Sequence, residues 1–144
     1  MNETIVLGVI GEDCHSVGLK IIDYVFSEAG FNVVNIGTYN KIEDFTKAAK
    51  ENRAEAILVS TLNGHGEIEC EGIRKACEEF GLDDILLYVG GNLVIGKQHP
   101  TIVENRYKNM GIDRIYFSYT PLEQAVQDLR HDIRIKRQKY SYGM

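Results

Sequence analysis

Short runs of apolar and β-branched residues alternate along the whole chain with longer stretches in which apolar residues recur every three to four positions. A sheet covered on both faces has strands that read as nearly continuous apolar runs, and the helices over it read as one-sided stripes, so the pattern predicts an α/β fold with a parallel sheet. Five strands are predicted, Thr4 to Ile10, Asn32 to Ile36, Ala56 to Ser60, Ile85 to Val89 and Arg114 to Phe117. Core-facing stripes at helical spacing are expected from Val17, Ile21 and Val25, from Ile42, Phe45 and Ala49, from Ile73, Cys77 and Phe80, and from Val103, Tyr107 and Met110. Leu122, Ala125, Val126, Leu129 and Ile133 mark a closing helix, with Thr120 suited to its N-cap and Pro121 to its first position. Gly30, Gly81 and Gly111 stand where the first, third and fourth helices should stop.

Five strands, each followed by a helix and joined by right-handed crossovers, most often wind into a flavodoxin-like, Rossmann-like three-layer sandwich with sheet order 2-1-3-4-5. In that order the chain reverses direction between strands one and three, and a ligand crevice opens at their carboxyl ends. Residues following Ile10 and Val59 are therefore the ones expected to carry chemistry.

At 144 residues and 44% hydrophobic, the chain has the length and apolar content of one domain, expected over 1–137 with a tail over 138–144. A formal charge of −5 gives no general attraction to nucleic acid or anionic lipid, which leaves a small molecule or a protein as partner. No run approaches the roughly 20 apolar residues that span a bilayer, and Met1-Asn2-Glu3-Thr4 lacks a signal-peptide start, so a soluble, cytoplasmic protein is expected. Cys14, Cys70 and Cys77 have no Cys-x-x-Cys spacing and read as reduced thiols. The segment from Arg130 to Met144 is rich in Arg, Lys and Tyr, and reads as a helix end whose cations suit the C-terminal dipole or as a docking segment for a partner.

After strand one come Gly11-Glu12-Asp13-Cys14-His15-Ser16-Val17-Gly18, after strand three Ser60-Thr61-Leu62-Asn63-Gly64, and after strand four Gly90-Gly91-Asn92-Leu93-Val94-Ile95-Gly96. All three loops would rim one crevice. An imidazole ligates a metal through one nitrogen, and a carboxylate two residues earlier can accept the other N–H, which suits Asp13 and His15 to a paired role. Gly18 lets a large group pass close to a helix start, Ser60 can hydrogen-bond a buried heterocycle nitrogen, and Gly90 and Gly91 bring bare backbone against a ligand. The same residues also have a plain structural reading, with Asp13 and Ser60 as caps, His15 on the surface and the glycines in turns.

Taken in order, Asp13-x-His15-x-x-Gly18, Ser60-x-Leu62 and Gly90-Gly91 resemble the three-part signature of cobalamin-binding domains. The likeness is greatest to the small, cobalamin-binding subunits of glutamate mutase, and it extends over Thr4 to Gly11, Gly30 to Gly37, Gly64 to Ile68 and Gly90 to Gln98. The resemblance implies that His15 replaces the cofactor's dimethylbenzimidazole as the lower cobalt ligand of adenosylcobalamin, base-off and His-on, with Asp13 holding the imidazole. It implies that Ser60 hydrogen-bonds the displaced dimethylbenzimidazole while Thr61 and Leu62 line its slot. By the same likeness Glu12, Asp13, Cys14, His15 and Ser16, with Gly90, Gly91, Asn92, Leu93, Val94, Ile95 and Gly96, contact the corrin and tail.

The resemblance further implies an isomerase that interconverts L-glutamate and threo-3-methylaspartate. It is active only with a large barrel-type subunit, in a two-plus-two heterotetramer, and no catalytic residue is expected on this chain. Tyr119-Thr120 departs from the Gly-Thr turn common in the family after strand five. A stand-alone corrinoid carrier or sensor is the alternative. A receiver domain of the same fold is disfavoured because Ser60 stands where a phosphoacceptor Asp is needed, and a zinc hydrolase built on His15, His65 and Cys70 lacks standard ligand spacing. Glu67, Glu69 and Glu71 read as the solvated start of the third helix.

Overall fold

The computed structural model describes residues 2–11 and 16–143, with 140–143 described by their backbone alone. Strands β1 (Thr4–Val9), β2 (Asn32–Asn35), β3 (Ala56–Thr61), β4 (Leu86–Gly91) and β5 (Arg114–Phe117) form one parallel sheet in the order β2-β1-β3-β4-β5, the flavodoxin-like order expected. Helices α1 (Val17–Glu28), α2 (Ile42–Asn52), α3 (Gly66–Glu69), α4 (Ile73–Glu79), α5 (Pro100–Asn109) and α6 (Leu122–Gly143) connect and cover it.

Side chains alternate across a strand, and β3 at the centre divides its residues between two cores. Ile57 and Val59 join Phe45 of α2, Cys77 of α4, and Val103 and Tyr107 of α5 on one face. Ala56 and Leu58 join Leu19 and Phe26 of α1, and Leu129 and Ile133 of α6, on the other. Every residue of β3 is buried, as its apolar composition requires of a strand covered on both sides.

Three expectations are corrected. In α1 the buried stripe is Leu19 and Phe26, with Ile22 and Val25 packed against it, whereas Val17 and Ile21 are 73% and 54% exposed. The helix is apolar on two sides, so periodicity alone left two stripes to choose from. Packing selected the one that puts the Phe26 ring 5.7 Å from Phe31. The third helix is two pieces, α3 and α4, broken at Gly72 with φ +86°. Phe80, at the end of α4, is 42% exposed and outside the core. The closing helix starts one residue later than anticipated, with the Pro121 carbonyl accepting from the Gln124 N–H, and it continues to Gly143.

A polar cluster ties α6 to the sheet. Arg114 donates from Nε and Nη2 to the two oxygens of Asp132 at 2.7 and 2.9 Å, Tyr88 donates its hydroxyl to the same carboxylate, and Tyr116 donates to Asp128 at 2.6 Å. Burial would raise the Asp132 pKa, but hydrogen bonds from Arg114 and Tyr88 outweigh it and hold the carboxyl below its ordinary value. A depressed carboxylate stabilises the fold above its unfolded pKa near ~4 and loses that contribution as pH falls through the folded value. Asp132→Asn is expected to cost about 1–2 kcal/mol at neutral pH, a figure kept low because Arg114 is partly exposed. Melting temperatures from pH 7 to pH 2 check this, since the variant and the parent should converge at the acid end.

Candidate functional site

Parallel register places Val9, Ser60, Gly90 and Tyr116 in one row across β1, β3, β4 and β5, at the carboxyl ends of the strands. Alternation puts this row on the α1/α6 face, continuing from Leu58 and Tyr88. Gly90 has no side chain to fill its place between Ser60 and Tyr116. Among the described residues, a Cβ built there meets nothing nearer than the Tyr116 carbonyl oxygen at 3.4 Å. On α1, a Cβ at Gly18 meets no atom of the described residues within 4 Å, and the exposed Val17 and Ile21 flank it on the first two turns. The row therefore joins a buried Ser60 hydroxyl to a position without a side chain at Gly90, beside an apolar helix edge.

Thr61, one residue on, faces the opposite layer. It is fully buried, and a Cβ on Gly66 would lie 2.9 Å from its Cγ2 and 2.4 Å from the Tyr107 hydroxyl. Its carbonyl accepts from the Asn92 N–H at 2.8 Å, and a Cβ on Gly91, where φ is +112°, would fall 2.3 Å from that same oxygen. Thr61 and Gly91 thus clamp the end of β3 to the loop after β4. The Tyr107 hydroxyl donates to the Leu93 carbonyl at 2.7 Å, which buries Leu93 and leaves Ile95 exposed. Leu62 packs on the α1/α6 core, and Gly64 approaches Ile95 and Val94 closely enough to join the loops after β3 and β4.

The end of β1 is held by Asn40, which sequence reasoning passed over. Its Nδ2 donates to the carbonyls of Val9 and Gly37 at 3.1 and 2.8 Å, and its carbonyl accepts from the Gly11 N–H at 2.8 Å. A buried Asn in a turn after a strand was the available signal. Glu12, Asp13, Cys14 and His15 lie outside the described residues. The structure fixes what stands on either side of them, Gly11 with φ +86° and Ser16, whose carbonyl accepts from Lys20 at the start of α1.

The remaining candidates separate by environment. His65 is exposed before α3, and His99 caps α5 by accepting from the Thr101 N–H. Cys70 is buried, and burial with the neighbouring Glu69 charge pushes its thiol up to about 12, which disfavours a thiolate metal ligand. Tyr119 is exposed and stacks on Phe117, with ring centroids 5.5 Å apart. Glu67 and Glu69 are half-buried rather than solvated, Glu67 pairing with Arg106 at 2.9 Å.

Residues 3–126 match the B12 binding domain family. Over 134 residues the chain is 60% identical to the glutamate mutase sigma subunit of Clostridium tetani and 58% identical to that of Clostridium cochlearium, each alignment covering 93% of this chain and 98% of the relative. The chain belongs to the glutamate mutase sigma subunit family. A cobalamin-binding protein from Desulfitobacterium hafniense has the same fold, with a TM-score of 0.72 at 20% identity over 91% of this chain and 59% of that one.

For a chain of the sigma family, the observed strip fits a cobalamin. Among the described residues, the missing side chain at Gly90, the Ser60 hydroxyl, the uncrowded Gly18 and the exposed Val17 and Ile21 suit an extended group with a heterocyclic end. Among the described residues no helix is long and apolar enough to cross a membrane.

Proposed function

We propose that this chain is the adenosylcobalamin-carrying subunit of a glutamate mutase, an isomerase of carbon skeletons that works only when a large, barrel-type subunit supplies the amino-acid site. The observation that supports the reading is the register-aligned pair of Ser60 and Gly90 on the α1/α6 face, where no described side chain takes the place that a Gly90 side chain would fill. When bound, adenosylcobalamin supplies radical chemistry by homolysis of its cobalt–carbon bond, which no side chain can supply.

The chain's own residues bind and orient. His15 would ligate the cobalt, giving a base-off, His-on form, and Asp13 would accept the other imidazole N–H, fixing the tautomer and raising the ligand's basicity. Ser60 would hydrogen-bond the freed dimethylbenzimidazole, Gly90 and Leu62 would border the tail, and Thr61 and Gly91 would hold that wall in place. Glu12, Cys14, Ser16 and Gly18, with Asn92 to Gly96, would border the corrin. No substrate-binding or catalytic residue is assigned to this chain. Residues 1–137 form the binding unit and 138–144 the tail. The working assembly is a two-plus-two heterotetramer in the cytoplasm.

Mixing the purified chain with adenosylcobalamin and a glutamate mutase large subunit should give methylaspartate from L-glutamate, and omitting either protein should give none. Tight cobalamin binding without activity or co-purification of a large subunit would instead establish a free-standing corrinoid carrier.

A further inference from the structure

The stretch from Asn92 to His99 joins β4 to α5 without regular structure, and α3, at four residues, is too short to be stable unaided. Both are fastened to two adjacent residues of α5. Tyr107 holds the inner side, donating its hydroxyl to the Leu93 carbonyl and packing against Gly66, and both Leu93 and Gly66 are buried. Arg106 holds the outer side. Its Nε lies 2.9 Å from Glu67 Oε1 on α3, and its Nη2 donates to Gln98 Oε1. Gln98 in turn donates from Nε2 to the Ile95 carbonyl at 3.2 Å. One guanidinium therefore spans from α3 to the far end of the loop after β4. The two segments also meet at Gly64, where a Cβ would stand 3.0 Å from Ile95 Cγ1 and 3.2 Å from the Val94 carbonyl oxygen.

Folding gains little from this strut. The side chains of Arg106 and Glu67 are 42% and 32% exposed, and they meet in a charge contact rather than an aligned hydrogen bond, so water screens the pair. What the strut fixes is geometry, because a planar guanidinium holds two acceptors in a set relation that a single ammonium does not reproduce. We infer that Arg106 is a positioning residue of the cofactor site, joining the loops after β3 and β4 into one rim. It acts through the segment Asn92 to Gly96, assigned above to the corrin, and keeps that segment at a fixed spacing from Ser60 and Leu62. The inference rests on the cobalamin-carrying function proposed above, and it gives Arg106 no chemical step.

The test compares Arg106→Ala, Arg106→Lys and Gln98→Ala with the parent chain by melting temperature and amide hydrogen exchange, both without cofactor, and by titration with adenosylcobalamin. Melting temperatures should stay within about 4 °C of the parent's. The Glu69 and Cys70 amides, which donate to the His65 and Gly66 carbonyls, should exchange about 10-fold faster in Arg106→Ala. Gln98→Ala alters only the loop after β4, so about 3-fold faster exchange at those α3 amides reports a coupling that a purely local role would not produce. Cobalamin affinity should fall about 10-fold in Arg106→Ala, and Arg106→Lys, which keeps the charge but not the fork, should bind as weakly. Parent-like affinity in Arg106→Ala overturns the proposal. So does unchanged α3 exchange in Arg106→Ala and Gln98→Ala, which leaves the loops independent, and so does a melting temperature lowered by about 10 °C or more, which assigns Arg106 to folding. A parent chain that binds no cobalamin overturns the functional reading and this inference with it, and faster α3 exchange in the variants would then mark a structural strut alone.

Discussion

Gly90→Ala is expected to fold as stably as the parent and bind cobalamin about 10- to 100-fold more weakly, whereas Gly91→Ala next to it should unfold early. The two glycines look alike in the sequence, and the structure separates them. At Gly90, among the described residues, a methyl group meets the Tyr116 carbonyl at 3.4 Å and the Tyr116 Cβ at 3.6 Å, ordinary contacts that the sheet accommodates. The methyl would instead occupy the strip beside Ser60, and overfilling a fitted site by one carbon costs about 1–3 kcal/mol. At Gly91 the same methyl lands 2.3 Å from the Thr61 carbonyl oxygen on a backbone with φ +112°, a conformation that residues with a Cβ rarely adopt. Relief requires pulling apart the end of β3 and the Asn92 hydrogen bond, at a cost of about 3 kcal/mol, or roughly 10 °C in melting temperature. Thermal melts and cobalamin titrations on both variants check the contrast. Equal affinity in Gly90→Ala and the parent would count against a ligand on that strip.

In His15→Gly, cobalamin affinity should drop by two orders of magnitude or more, and any cofactor still bound should show no His-ligated spectrum. Replacing a metal ligand removes the bond and the pairing with Asp13 together, and loss of the supporting partner alone is worth about 10- to 100-fold. Asp13→Ala should therefore be milder, keeping the spectrum while weakening affinity. Added imidazole should restore a nitrogen-ligated spectrum to His15→Gly, because the vacated position accepts a small ligand. A parent-like spectrum in His15→Gly would remove the imidazole from the cobalt.

The fold was legible because a strand covered on both faces must be apolar along its length. The run Ala56 to Val59 within the strand expected over Ala56 to Ser60 could be little else, and the neighbouring runs follow the same rule. Helix stops were legible at Gly30, Gly81 and Gly111, all of which have positive φ. The stripe of α1 was not. Val17 and Ile21 are as apolar as Leu19 and Ile22, and packing against the sheet, Phe31 and α6 decides which side is buried. The face left exposed borders the candidate site, which is how an apolar edge comes to be available to a ligand. Glu69 was misread for a related reason, since a carboxylate at a helix start is ordinarily solvated, and the approach of α3 to Gly11 is visible only once β1 and β3 are side by side.

By itself the sequence determined the α/β class, the strand count, the loops that meet at the crevice and the candidate ligands within them, because each depends on local pattern or on short motifs. Tertiary structure decided which of those residues face the open strip and which brace it. Ser60 and Gly90 fall on one side and Thr61 and Gly91 on the other, since adjacent residues of a strand point to opposite faces and register across the sheet aligns each with its partner. It also decided the contacts between segments far apart in the chain, Asn40 with Val9 and Glu69 with Gly11, which no local pattern encodes because they arise only when the sheet closes.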